Sequence, residues 1–311
     1  MHEEVTIPEV TEAVARVSAL LGPREGAVVQ LEGGITNRNF RVRFARTDYV
    51  LRLPGKRTDL LGIDRETECA ATKVGAELGF APRVVTLLDE PPCLVTTFMA
   101  GEAAQPRDLR DPDAIAQVAA DLRALHNSGA ELPTTFDPFR LAEQYAATAR
   151  ERGAEPPDGY DDALQAAKAV EEAVVGQPGH EAVPAHNDLL PANFLRDGAS
   201  IALIDWEYAG MGDRWFDLGN FAANNELDDA EEQRFLEAYF GEPPDERATA
   251  TLRLFRFVSD FREGMWGTVQ SVLSVVEFDF RDYARRHFER LERIRTDPRF
   301  AGSLERVRGS A

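Results

Sequence analysis

The chain contains the segment His186-Asn187-Asp188-Leu189-Leu190-Pro191-Ala192-Asn193, followed closely by Ile201-Ala202-Leu203-Ile204-Asp205. The first segment has the form H-x-D-x-x-x-x-N, and the second is a short apolar run, typical of a buried strand, that ends in an aspartate. One carboxylate could deprotonate a hydroxyl group, while a carboxamide oxygen and a second carboxylate could hold magnesium against phosphates. We therefore expect phosphoryl transfer from ATP, with Asp188 as the base and Asn193 and Asp205 as the Mg²⁺ ligands. The alternative is a capped turn before a buried strand.

The residues that follow extend this pattern. They read Asp205-Trp206-Glu207-Tyr208 and, after a spacer, Phe216-Asp217-Leu218-Gly219-Asn220. The combined pattern resembles the signature of the choline and ethanolamine kinases, within the aminoglycoside phosphotransferase and choline kinase superfamily. The resemblance extends from about Gly33 to Tyr283. It implies an α+β, two-lobed protein kinase-like fold, with ATP as co-substrate and a small cationic amino alcohol as the acceptor.

Composition limits the classes of partner. The chain has 311 residues and a formal net charge of −19, which argues against nucleic acid or an anionic membrane as a partner and would suit a cationic substrate. Cys69 and Cys93 lack the spacing of a metal site, so we expect free thiols in a reducing compartment. The N-terminal residues do not resemble a signal peptide, and no apolar run is long enough to span a bilayer. These observations predict a cytoplasmic protein, whose oligomeric state the sequence leaves open.

The hydrophobic pattern changes character along the chain. Residues 28–31, 40–44, 49–53, 83–88 and 93–98 read as strands, with helices over 10–21 and 64–78. Later segments read as helices, over 113–126, 141–151, 160–175, 230–240, 245–273 and 283–294, with a break at Gly264 or Gly267 left open. The change near residue 100 predicts a sheet-rich N-lobe, residues 1–100, and a mainly helical C-lobe, residues 101–311.

Candidate nucleotide-binding residues lie in the N-lobe. A glycine pair between two strands lets the backbone approach phosphates, although such pairs commonly make hairpins. The resemblance implies a phosphate loop here, comprising Gly33, Gly34, Thr36 and Asn37. It also implies that Phe98 and Met99 form the hinge that contacts adenine.

Arg52 lies in an apolar strand, where a cation must point outward or meet an anion. By resemblance it would contact the ATP phosphates and pair with an acid on the following helix. Glu68 has the expected position, with Glu66 as the alternative.

Three further residues surround the predicted catalytic loop. His186 would orient the loop through a hydrogen bond, with a role as proton shuttle as the alternative, and Asp217 would hold the loop rather than contact substrate. Glu207, two residues after Asp205, could reach the metal or serve as scaffold.

The candidate residues for binding the acceptor are mainly aromatic. A quaternary ammonium is held by aromatic faces, helped by a carboxylate. The resemblance places Tyr208, Trp266, Phe278 and Tyr283 around it, although an aromatic stripe on a C-terminal helix could equally be core. Two positions depart from the family pattern: Glu263 replaces a tryptophan, and Asn224 replaces an acid, with Glu226 two residues further on. Glu263 or Glu226 would then supply the countercharge, which leaves choline and ethanolamine both open.

Two other functions stay open at this stage. The same chemistry could act on another acceptor, such as thiamine or an aminoglycoside. A nucleotide-binding pseudokinase would normally lack Asp188, Asn193 or Asp205, and all three are present.

Overall fold

The computed structural model describes residues 7–31, 36–55 and 57–309. Its N-lobe is an antiparallel sheet of five strands in the order β1-β2-β3-β5-β4. The elements are α1 (Pro8–Leu21), β1 (Arg24–Gln30), β2 (Asn37–Phe44), β3 (Thr47–Pro54), a 3₁₀ turn (Thr58–Leu61), α2 (Arg65–Leu78), β4 (Val84–Asp89) and β5 (Pro92–Thr97). The predicted order of strands, internal helix and strands is confirmed.

Alternation of apolar and polar residues gives the sheet one buried face. Phe40, Phe44, Leu51 and Val95 pack there with the apolar stripe of α1. On β3, residues of the opposite parity include Arg52, which therefore faces away from this core.

Helix α2 belongs to a different core. Its N-terminus is capped by Asp64, whose Oδ1 accepts a hydrogen bond of 2.7 Å from the backbone N–H of Thr67. Its buried residue Ala71 packs in the core of the C-lobe. A Cβ atom on Gly75 would lie 2.5 Å from the Trp206 ring, so a glycine is needed for this close approach. The helix that carries Glu68 is thus fixed against the segment that carries Asp205.

The C-lobe is mainly helical. Its elements are β6 (Glu102–Ala103), α3 (Pro106–Leu109), α4 (Pro112–His126), α5 (Pro138–Glu151), α6 (Tyr160–Val174), β7 (Ala182–Ala185), a 3₁₀ turn (Pro191–Asn193), β8 (Phe194–Asp197), β9 (Ser200–Leu203), β10 (Gly210–Asp213), α7 (Arg214–Asn224), α8 (Asp229–Phe240), α9 (Glu246–Leu273), α10 (Phe280–Thr296) and α11 (Pro298–Arg308). Strands β7 and β10 pair, and β6, β8 and β9 form a second small sheet. No helix in the described ranges is both long and apolar enough to span a bilayer.

Helix α9 is the centre of this lobe, and it runs unbroken for 28 residues. The break left open at Gly264 or Gly267 is absent. A Cβ atom at 264 would lie 2.6 Å from the Phe288 ring, and one at 267 would lie 2.8 Å from the Tyr283 ring. These glycines therefore allow α10 to pack closely on α9.

The sequence analysis missed α7 and α11. All residues of α7 from Trp215 to Asn224 are buried, and its polar residues Asp217 and Asn220 bond to the backbone of residues 186–189 instead of facing solvent. It is nevertheless well defined, because Asp213 caps it through the backbone N–H of Trp215 at 2.9 Å.

Candidate active site

A cleft of about 510 Å³ lies between the two lobes. Its lining joins residues far apart in the sequence, among them Thr36, Arg52, Glu68, Phe98, Met99, Asp188, Asn193, Asp205, Glu207, Tyr208, Arg262, Glu263, Trp266 and Tyr283. Most of the residues singled out from the sequence therefore face one space.

Helix α7 supports the predicted catalytic loop, residues 186–193, through side-chain hydrogen bonds to its backbone. The buried carboxylate of Asp217 accepts hydrogen bonds from the backbone N–H groups of His186, at 2.9 Å, and Asn187, at 2.6 Å. One turn further along, Asn220 Oδ1 accepts a bond of 2.5 Å from the backbone N–H of Leu189. Residues three apart share a helix face, which explains the F-D-x-x-N spacing. These bonds fix a loop in which Asn187 has a positive φ of 66°.

His186 connects the two halves of the sequence pattern. Its Nε2 donates to the carbonyl of Ile204 at 3.1 Å, and its Nδ1 accepts from the backbone N–H of Asp188 at 3.3 Å. The ring stands edge-on to Trp206, with centroids 4.6 Å apart. Burial lowers the pKa of His186. The neutral ring thus joins the loop to the residue preceding Asp205.

Asn193 lies between the two aspartates. Its Nδ2 donates to the backbone oxygen of Asp188 at 2.8 Å and to Asp188 Oδ2 at 2.9 Å. Its own carbonyl accepts from the backbone N–H of Ile204 at 2.9 Å, which places it beside Asp205. Because the amide nitrogen is occupied, Oδ1 is the atom of this side chain that could bind a cation.

The donor types fit magnesium. The described residues contain no group of three or more His, Cys, Asp or Glu side chains that could hold a metal by itself. Mg²⁺ in phosphotransferases commonly takes only one or two protein oxygens and completes its shell with phosphates and water. The oxygens of Asn193 and Asp205 suit that arrangement.

Burial dominates the electrostatics of Asp188. It raises the pKa of Asp188, and the nearby charges of Glu263, Asp205 and Glu207 raise it further, while Arg262 lowers it. Burial, followed by the charge of Asp205, likewise raises the pKa of Glu207 to about 7. The site therefore holds more negative charge than the protein alone compensates.

On the nucleotide side, Arg52 bridges the lobes. Its Nη1 lies 2.9 Å from Glu68 Oε1 and 2.5 Å from Asp205 Oδ1. Glu66 is exposed, so the structure pairs Arg52 with Glu68 and not with the alternative.

A second arginine, missed in the sequence, supports this bridge. Arg65 Nη1 lies 2.6 Å from Glu68 Oε2, and its Nη2 donates to Asn37 Oδ1 at 2.9 Å. Asn37 Nδ2 in turn donates to Glu207 Oε2 at 2.8 Å. Asn37, predicted to belong to the phosphate loop, does not line the cleft, and both ends of its side-chain amide are bonded to Arg65 and Glu207. The spacing of Arg65 and Glu68, three residues apart on α2, was the available signal.

The remaining nucleotide candidates have different outcomes. Thr36 lines the cleft, and a Cβ on Gly55 would lie 2.1 Å from the Thr36 carbonyl oxygen, so the glycine lets these segments touch. Gly33 and Gly34 lie outside the described residues. Phe98 and Met99 line the cleft after β5, and the Phe98 N–H is already bonded to the carbonyl of Asp48 at 2.9 Å.

Four of the six acceptor candidates line the other end of the cleft. Trp266 Nε1 donates to Tyr208 Oη at 2.7 Å, and the Trp266 and Tyr283 rings lie 5.5 Å apart at 68°. Tyr283 Oη donates to Glu263 Oε2 at 2.8 Å. The three rings form an aromatic wall, defined as Tyr208, Trp266 and Tyr283.

Two acceptor candidates do not line the cleft. Glu226 is exposed in the turn after α7 and does not line the cleft, because the chain reverses toward solvent where that helix ends. Phe278 is 42% exposed and packs against Phe280 and Tyr283 outside the cleft lining.

Arg262 is the other residue that the sequence analysis missed. It is 1% exposed, lines the cleft, and contacts both Glu263 and the catalytic loop. The signal was an arginine–glutamate pair inside an otherwise mostly apolar stretch of α9, since charges there must be paired. Three arginines, Arg52, Arg65 and Arg262, therefore lie among five acidic side chains. These acids are Glu68, Asp188, Asp205, Glu207 and Glu263. This excess of acids favours cations in the cleft.

The fold and the cleft define a phosphotransferase of the protein kinase-like class. A model of the phosphotransferase enzyme family matches residues 27–253, and the chain belongs to this family.

Individual relatives agree with this assignment. Ethanolamine kinase 1 from Mus musculus is 28% identical over 308 residues, an alignment that covers 84% of this chain and 82% of the relative. The crystal structure of a choline/ethanolamine kinase family protein from Mesorhizobium loti is 29% identical, with a TM-score of 0.82 over 97% of this chain and 100% of that one. Choline kinase LicA from Streptococcus pneumoniae, 23% identical, shares the fold with a TM-score of 0.76 over 91% of this chain and 99% of that one.

Proposed function

We propose that this enzyme uses ATP and Mg²⁺ to phosphorylate the hydroxyl group of a small amino alcohol, choline or ethanolamine. The observation that carries the proposal is that Asp188 lies in one cleft between the Asn193–Asp205 pair and the aromatic wall. This arrangement supports a role for Asp188 as a base that acts between a metal-type site and a surface suited to an ammonium group. The names of the relatives support this choice of acceptor.

In this mechanism Asp188 accepts the proton of the acceptor hydroxyl as its oxygen attacks the γ-phosphorus, and ADP leaves. Asn193 occupies Oδ2 of Asp188, so Oδ1 is the oxygen left for the hydroxyl. Arg52 would turn from its bridge to Glu68 and Asp205 toward the phosphates. Magnesium, held by Asn193 and Asp205, would neutralise phosphate charge. A positioned base typically contributes about 10²–10⁴-fold, and positioning and charge supply the rest.

The aromatic wall and Glu263 together recognise the ammonium group. Ring faces attract any ammonium, whereas a carboxylate also accepts hydrogen bonds from a primary one. Glu263 already shares its charge with Arg262 and with the hydroxyl of Tyr283. It is therefore a weaker countercharge than a free carboxylate, and its directional bonding makes ethanolamine a serious competitor to choline.

A transfer assay with radiolabelled ATP tests the acceptor class. Choline, ethanolamine, thiamine and aminoglycosides are compared by kcat/KM in the wild type. We expect turnover with choline or ethanolamine, and turnover confined to thiamine or an aminoglycoside would refute the proposal.

Variants test the acceptor pocket. Cation–π contacts contribute roughly 0.5–2 kcal/mol, so Trp266→Ala should lower kcat/KM with choline several-fold or more. Glu263→Gln should reduce activity with ethanolamine more than with choline. Phe278→Ala, outside the cleft lining, is the matched control and should match the wild type. If Trp266→Ala leaves both acceptors unchanged, the pocket lies elsewhere.

A further inference from the structure

Arg262 is one of the largest fully buried side chains in the described part of the molecule. It projects from the middle of α9, among residues that are almost all buried. A guanidinium stays charged in proteins, so placing one here requires compensation by nearby groups. Which groups compensate it indicates what it does.

Two of its contacts are with the catalytic loop. Its Nη2 donates to the backbone carbonyl of Asn187 at 3.2 Å. Its Nη1 lies 3.8 Å from Asp188 Oδ1, close enough for charge attraction but beyond hydrogen-bond distance. Asn187 has a positive φ, a conformation that its surroundings must stabilise. Arg262 therefore holds the loop at a strained residue directly before Asp188.

The 3.8 Å separation leaves Asp188 usable. Asn193 is bonded to Oδ2 of Asp188, and a full hydrogen bond from Arg262 to Oδ1 would occupy the second oxygen as well. Nη1 pairs with Glu263 instead, whose Oε1 lies 2.5 Å away, and Tyr283 Oη donates to the other oxygen of Glu263 at 2.8 Å. The guanidinium is also stacked over the Tyr208 ring at 4.5 Å.

We propose that Arg262 is a positioning residue for phosphoryl transfer, which fixes the Asn187–Asp188 backbone and holds its charge beside the base without occupying the oxygen that receives the proton. Glu263 and Tyr283 hold this guanidinium in position. Because Tyr283 belongs to the aromatic wall, the surface that would bind the ammonium group also influences the geometry of the base. The inference rests on the proposed function in taking Asp188 as the base.

The test separates kcat from binding. Arg262→Met should lower kcat roughly 10–100-fold, because a displacement of about 1 Å at the reacting groups can cost about 10²-fold. The dissociation constant for ATP should stay within about twofold. Arg262→Lys should recover part of the loss, since it keeps the charge but not the planar fork. Intrinsic hydrolysis of ATP, with water as the acceptor, is measured alongside and should fall in parallel.

A simpler explanation is that Arg262 merely neutralises buried Glu263. The double variant Arg262→Met/Glu263→Gln removes that unpaired acid, and it also serves if the single variant fails to fold. We expect its kcat to stay at least about tenfold below that of Glu263→Gln alone. Equal kcat values in these two proteins would overturn the inference, as would an Arg262→Met variant with altered binding constants and unchanged kcat.

Arg256→Met is the matched control. Arg256 lies on the same helix and pairs with buried Glu232, outside the cleft lining. It should lower stability and leave kcat within about twofold. If the wild type transfers phosphate to neither choline nor ethanolamine, the proposed acceptor is refuted. The inference about Arg262 is still tested in that case, because the rates of ATP hydrolysis of the Arg262 variants can be compared.

Discussion

Replacing Asp217 by asparagine perturbs the support of the catalytic loop while preserving side-chain shape. The carboxylate is fully buried and accepts three hydrogen bonds, from the backbone N–H groups of His186 and Asn187 and from His126 Nε2, at 2.9, 2.6 and 3.0 Å. Asparagine has one acceptor oxygen, and its NH₂ group would face at least one of these donors. At least one buried donor therefore loses its partner.

The cost follows from these contacts. An unsatisfied buried donor costs about 1–3 kcal/mol, and each remaining bond weakens by about 1 kcal/mol when the acceptor is no longer charged. We expect Asp217→Asn to lower the free energy of unfolding by roughly 3–5 kcal/mol. Because the same bonds fix the residues around Asp188, kcat should fall roughly 10–100-fold.

Urea unfolding at pH 7, followed by circular dichroism, and steady-state kinetics measure both effects. Asp228→Asn is the control, since Asp228 is an exposed N-cap of α8 and asparagine caps equally well, so stability should change by less than about 0.5 kcal/mol. The reasoning is refuted if Asp217→Asn has a free energy of unfolding within about 0.5 kcal/mol of the wild type and a kcat within about twofold.

The stability lost in the Asp217→Asn variant should depend on pH. Burial by itself would raise the pKa of Asp217, but the hydrogen bonds from His126 and from the backbone N–H of His186 outweigh it, and the pKa is lowered. A lowered acid pKa stabilises the fold above the pKa of the unfolded state, about 4, and this contribution is lost as pH falls through the folded-state pKa. The stability difference between wild type and Asp217→Asn should therefore be constant at neutral pH and shrink below about pH 4.

Three further substitutions test the reaction. Asp188→Asn should keep nucleotide affinity and lose turnover, and more than about a tenth of wild-type kcat would mean that Asp188 is not the base. Asp205→Ala should abolish the magnesium dependence of ATP binding in calorimetric titrations, and an unchanged dependence would exclude Asp205 as a ligand. Arg52→Lys should raise the KM for ATP, because an ammonium lacks the planar fork that grips two oxygens, whereas an unchanged KM would place Arg52 outside the nucleotide site.

The sequence by itself determined the fold class and the chemistry of the central segments. Strand alternation and helical spacing are local properties, so they predicted the N-lobe and most helices. The spacing of Asp188, Asn193 and Asp205 is also local, because a short turn and one hairpin bring them together. Helix α7 was missed because Asp217 and Asn220 were interpreted as part of a signature, and both side chains are buried rather than marking a solvent-exposed helix face.

Only the tertiary structure decided which side chains face the cleft. Arg262 meets Asn187 across 75 residues, and Arg65 joins Asn37 on β2 to Glu68 on α2. Such contacts depend on how α9 is rotated and how closely α10 packs at Gly264 and Gly267. A pattern along the chain specifies which residues a helix carries, whereas the packing of distant elements specifies where they point, and this is why Glu226 and Phe278 fall outside the site.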